Sequence, residues 1–100
     1  MNSALTRIKT YIGFATKSRN IKFGVDDIIK LKKCDIILLS TDLKDASKNK
    51  LINYSNKASC EHVIINDEDF KILVDNKPIK ALAILDNNLA CAIKKYLTSI

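Results

Sequence analysis

Asp35-Ile36-Ile37-Leu38-Leu39-Ser40 decides the fold, because four consecutive apolar residues bounded by polar ones describe a strand covered on both faces. Such strands are normally parallel, which requires helical crossovers before and after. Downstream, Thr41 or Asp42 can cap a helix over roughly 44–58 with Leu51, Tyr54 and Ala58 on its inner stripe. His62-Val63-Ile64-Ile65 reads as another strand, and Asp67-Glu68-Asp69 opens a short helix that buries Phe70, Leu73 and Val74. Asp75-Asn76-Lys77-Pro78 is a loop. Ala81 to Leu85 is the last buried strand, followed by a closing helix capped by Asn87 or Asn88, with Leu89, Ile93 and Leu97 inward.

Upstream, Leu5, Ile8, Ile12 and Ala15 keep helical spacing, so residues 3–17 form an amphipathic helix with Arg7, Lys9 and Lys17 on its outer face. Gly13 lies inside that helix at a cost of about 1 kcal/mol relative to alanine, which predicts close approach by a neighbouring element. Ile21 to Phe23 alternates as a short strand, and Gly24 turns the chain. Val25, Ile28 and Ile29 then resume helical spacing, with Asp26 and Asp27 in the first turn and Lys30, Lys32 and Lys33 toward the end, the polarity that the helix dipole favours. The alternation of helix and strand gives one α/β domain over residues 1–100, a three-layer α/β/α sandwich around a four-stranded mixed sheet.

The chain's 100 residues are 47% apolar and 28% charged, with two glycines and one proline, a composition that excludes fibrous and low-complexity classes. There is no apolar run of membrane-span length and no signal-peptide pattern, so a cytoplasmic protein is expected. Three cysteines, Cys34, Cys60 and Cys91, with no CxxC spacing, read as reduced thiols packed like small apolar residues. The charge is lopsided. Residues 1–33 hold eight Lys or Arg against Asp26 and Asp27, whereas residues 34–66 carry four bases and four acids and residues 67–100 five and five. The whole surplus of +6 therefore belongs to the first third, a field that concentrates a polyanion at one surface. A helix start within it offers N–H donors to phosphate, and nucleic acid is the first partner to test.

Catalytic readings have little to stand on. Gly13 and Gly24 alone cannot assemble a phosphate loop or a dinucleotide loop. Strand spacing places Cys60 and His62 on one face, but neither an orienting acid nor a glycine-rich oxyanion turn accompanies them, so they read as a strand-edge histidine beside a packed thiol. The acids Asp67-Glu68-Asp69 are consecutive, converge poorly on one ion and read as helix capping. No cofactor or metal is expected. The segment from Gly24 to Lys30 is more informative. On a helix Asp26, Asp27 and Lys30 share an exposed face, where a carboxylate can accept from a guanine edge while Lys22 and Lys30 reach phosphate. Gly24 lets a sugar-phosphate backbone come close. The plain alternative for the same residues is a solvated, well-capped helix start.

Three stretches, Ile12 to Ala15, Lys22 to Lys30 and Ile37 to Asp42, make the chain from Leu5 to Leu97 resemble the ribosomal L-seven-Ae and L-thirty-e superfamily, within it the bacterial YlxQ-like group. The resemblance implies an α/β/α sandwich of L-thirty-e type that binds kink-turns or related bent RNA and has no enzymatic activity. The family's RNA-reading pattern of Gly, any residue, Asn, Glu, any two residues and Lys falls on Gly24, Asp26, Asp27 and Lys30. Asp26 replaces an amide that donates and accepts with a carboxylate that only accepts, a change that alters base reading and resembles the YlxQ-like group. The family's loop before the last strand covers an extruded nucleotide, which here implicates Lys77 and Ile79.

The expectation is thus a monomeric RNA-binding protein. Arg19, Lys22 and Lys30 contact phosphate, Asp27 and Asp26 read base edges, and Ile79 covers an unstacked base while Lys77 adds a charge to the same loop. Its partners are structured RNA, ribosomal RNA included, and ribosome-associated proteins, with no membrane. The competing expectation is an adaptor of the same fold that has lost RNA recognition and binds protein.

Overall fold

β2 (Ile36–Ser40) is buried along its full length and runs through the middle of the sheet, as its unbroken apolar sequence requires. The computed structural model describes residues 3–98. In chain order the other elements are α1 (Ser3–Lys17), β1 (Ile21–Phe23), α2 (Val25–Ile28), α3 (Asp45–Ala58), β3 (Glu61–Ile65), α4 (Asp67–Leu73), β4 (Ala81–Ile84) and α5 (Asn87–Leu97). The strands lie in the order β1-β4-β2-β3. β2 pairs parallel with β3, Ile36 facing Glu61, and antiparallel with β4, Ile36 facing Ile84; β4 pairs antiparallel with β1. The sheet is mixed.

Alternation along the central strands divides the core into two layers. Ile36, Leu38, Leu82 and Ile84 face α1, α4 and α5, where Leu5, Ile8, Ile12, Phe70, Leu73 and Ile93 meet them. Ile37, Leu39, Ala81 and Ala83 face the other way, onto Ile28 of α2 and Leu51 of α3. Small residues in β4 on this second face leave room for the single turn of α2. Helix caps differ in detail from the sequence reading. Asp86, not Asn87 or Asn88, accepts from the Asn88 N–H to start α5, Asn66 accepts from the Glu68 N–H to start α4, and α3 begins at Lys44 with no side-chain cap.

Two expectations are corrected. The second helix does not extend to Lys33; α2 is one turn, Val25 to Ile28. At its end the Leu31 N–H tightens onto the Ile28 carbonyl at 3.0 Å, and further on the Asp35 N–H bonds the Ile84 carbonyl at 2.9 Å in the sheet while the Leu31 carbonyl takes the Tyr54 hydroxyl at 2.8 Å, so neither is left for a helical bond between them. The register of β2 thus overrides helical propensity over residues 29–33. Gly13 is not a close-approach position either: a Cβ built there meets nothing within 4 Å.

Candidate nucleic-acid interface

Gly24 follows β1 and has φ 88° and ψ 147°, a backbone conformation open to glycine and strained for other residues. Its N–H donates to the Ala81 carbonyl at 3.0 Å, which fixes the β1–α2 turn against the start of β4. The turn itself is exposed, with open space above the glycine. Asp26 and Asp27 project from the turn that follows, both exposed and with no hydrogen-bond or ion-pair partner among the described residues. This one-turn helix cannot supply the helix-dipole anion site expected from the sequence, since its carboxylates occupy the N-terminal turn and the Gly24 N–H is already used. An anion at this turn would have to be met by side-chain cations.

Those cations are free to make it. Arg7, Lys17, Arg19, Lys22, Lys30, Lys32 and Lys33 are all exposed, and none has an acidic partner among the described residues. Lys9 is the exception in the first third, bridged to Asp75 at 2.6 Å, which holds the Asp75 carboxyl below its usual range. Lysines later in the chain are more often spent: Lys71, Lys80 and Lys94 each meet an acid. The predicted site residues do not all share one face. Ile21 and Phe23 of β1 pack with the α1 side, so Lys22 faces the α2 side with Lys30. Arg19, in a left-handed turn with φ 61°, lies beyond the other end of β1, separated from Gly24 by the whole three-residue strand, whose rise alone is about 10 Å.

Lys77 and Ile79 are brought to the α1 side. With Ile12, Gly13, Phe23, Leu73 and Val74 they line a groove of about 510 Å³, which Lys9 and Lys17 also border. An open, mostly apolar cavity of this size falls within the range of about 300–1,000 Å³ that small-molecule pockets span. Asp75 and Asn76 hold consecutive left-handed backbone conformations, φ 55° and 59°, that shape its edge. No protein-family model and no curated protein matches the chain. Among solved structures, a protein of unknown function from Bacillus halodurans is similar at a TM-score of 0.79 over 92% of this chain and 97% of that one, with 14% identity. That likeness is one of fold.

A polar lock anchors the loop that presents Ile79. The Ser40 hydroxyl donates to Asp67 Oδ1 at 2.6 Å, Lys80 Nζ reaches Asp67 at 3.2 Å and Asp42 at 3.0 Å, and the Ser40 N–H bonds the Lys80 carbonyl. The Ser40 hydrogen bond, then Lys80 and Lys71, hold the Asp67 carboxyl below the usual carboxylate range; Asp42 and then Asp67 push the Lys80 ammonium up. Lys80 is therefore neutralised in place and unavailable to a phosphate. The role of Asp67 in this lock was invisible in the sequence, where it reads as one of three helix-opening acids.

The catalytic alternatives are not assembled. His62 Nδ1 lies 2.8 Å from the buried Ser55 hydroxyl, while Cys60 faces Cys34. Among the described residues no three metal-ligating side chains converge, and no helix is long and apolar enough to cross a membrane. The groove along α1 and the exposed aromatic Phe14 are the features that sequence reasoning missed. Gly13, mid-helix and without a packing reason, is the signal that could have pointed to the groove.

Proposed function

We propose that the chain is a non-catalytic, monomeric cytoplasmic RNA-binding protein that docks a bent or otherwise structured RNA, ribosomal RNA among the candidates, against the Gly24 turn and the groove beside Ile79. The observation that carries this reading is the set of seven exposed cations in the first third with no acidic partner among the described residues, Lys22 and Lys30 among them on the α2 side near a glycine turn that no side chain shields. Lys22, Lys30 and Arg19 contact phosphates, Asp27 and Asp26 accept from base edges, and Ile79 with Phe23 covers an unstacked base while Lys77 meets its phosphate. The resemblance to the L-seven-Ae superfamily supports the same arrangement.

Titration of a labelled kink-turn RNA and a ribosomal RNA fragment, followed by fluorescence anisotropy, tests it. Saturable binding with a log–log salt slope of about −2 to −3 is expected for three neutralised phosphates. Lys22→Ala with Lys30→Ala should reduce that binding at least tenfold. No saturable complex in dilute buffer overturns the reading. The adaptor reading would then take its place, on the aromatic patch where Phe14, half exposed at 52%, meets Tyr11 edge-on and Tyr11 stacks on Tyr96.

A further inference from the structure

Cys34 and Cys60 stand at the starts of the two parallel strands. Ile36 of β2 faces Glu61 of β3, so the segments just before them run side by side, and the two sulfurs lie 3.0 Å apart. That separation is only about 1 Å longer than an S–S bond of about 2.05 Å. The placement is well fixed: the Cys60 N–H donates to the Ser55 carbonyl at 3.0 Å, and Ser59 turns the chain with φ 55° at the end of α3. On the other side, Tyr54 ties down Leu31 and the Asp35 N–H ties the chain to Ile84. A shift of about 1 Å between the two sulfurs closes the gap.

We propose that Cys34 and Cys60 are a reversible oxidation site for hydrogen peroxide or a related hydroperoxide, Cys60 the reacting thiol and Cys34 the resolving one. Their exposures divide the roles. Cys34 is buried, whereas Cys60 is half-buried and reachable by a small oxidant. Burial and the neighbouring Cys60 push the Cys34 thiol up to about 12, so Cys34 keeps its proton while Cys60 attacks. The Cys60 sulfur attacks one peroxide oxygen, the O–O bond breaks, and the departing hydroxide takes up the proton given up by the Cys60 thiol, leaving water and a sulfenic acid on Cys60. The Cys34 sulfur then attacks the Cys60 sulfur, the S–O bond breaks, and the departing hydroxyl takes the Cys34 proton and leaves as water. Two thiols give two electrons to one peroxide, and two waters form. The disulfide pins residues 31–35, which follow the Lys30 end of the cationic segment, to the turn between α3 and β3.

This assignment is independent of RNA binding. Native protein is exposed to hydrogen peroxide, quenched with N-ethylmaleimide under denaturing conditions and digested for peptide mapping. The expected result is a peptide joining Cys34 to Cys60, a fall from three free thiols to one, recovery with dithiothreitol, and Cys91 labelled throughout. Cys60→Ser should abolish the cross-link, and Cys91→Ser should leave it intact. Three thiols still titratable after a dose that fully oxidises free glutathione, cross-links that run through Cys91, or Cys60 overoxidised to sulfinic acid beside an untouched Cys34 would each overturn the assignment.

Discussion

The Ser40 hydroxyl donates to the Asp67 carboxylate across 2.6 Å and joins the end of β2 to the start of α4, with Lys80 closing the same junction from the approach to β4. The folded pKa of Asp67 lies below its ordinary value of 3.8, so its contribution to stability is complete above that value and is lost as pH falls through the folded one. Asp67→Asn should therefore flatten the drop in melting temperature between about pH 5 and about pH 2 relative to wild type. Lys80 behaves in the opposite sense: raised above 10.5, it loses its contribution only as pH climbs past that value. Ser40→Ala, which deletes a fully buried hydroxyl, should cost about 1–2 kcal/mol at pH 7 in chemical denaturation. Equal acid sensitivity of Asp67→Asn and wild type would remove this junction from the account of stability.

Gly13 and Gly24 predict opposite responses to alanine. A Cβ at Gly13 meets nothing, so Gly13→Ala should stabilise the protein by about 0.5–1 kcal/mol through helix propensity alone. A Cβ at Gly24 also meets nothing, but φ 88° strains any L side chain, so Gly24→Ala should destabilise by about 1–2 kcal/mol. Thermal melts of the pair separate packing space from backbone conformation.

Much of this architecture is legible in the sequence because burial periodicity is strong where elements face a core. The run Ile36 to Leu39 and the spacing of Leu5, Ile8, Ile12 and Ala15 each have one reading, and β1 and α1 fall at the residues expected. The extent of α2 is not legible, since Lys30, Lys32 and Lys33 suit a helix end and only the sheet register tells Asp35 to bond Ile84. The site is legible in part. Charge asymmetry marks the first third, and Gly24 marks the turn, but which face Lys22 takes depends on Phe23 packing toward α1. The lock on Lys80 and the groove along α1 arise from residues distant in sequence, and no local pattern announces them.

Tyr54 tests the reason α2 stops. Its hydroxyl donates to the Leu31 carbonyl at 2.8 Å, and burial raises its pKa to about 12. Tyr54→Phe should cost about 1 kcal/mol and speed hydrogen exchange over residues 29–35, leaving the α1 and α5 amides unchanged. Unaltered exchange in that linker would mean that the sheet bond from Asp35 suffices to end the helix.

The division of labour on the cationic face makes the last prediction. Lys22 and Lys30 are exposed on the α2 side, so each alanine substitution should weaken RNA binding across sequences and make the salt slope shallower by about 0.7–0.9. Ile79 lies in the groove beside Phe23, on the opposite face of the sheet from Lys22. Ile79→Ser should lower affinity for RNA with an unpaired, extrudable base by about 1–3 kcal/mol while leaving the salt slope unchanged, because apolar contact with the base is lost and no charge is. Lys77→Ala is the mixed case: it borders the same groove and carries a charge, so both affinity and slope should fall. If Ile79→Ser instead acts equally on RNAs with and without an extrudable base, the groove does not hold one, and the contact is confined to the Gly24 turn.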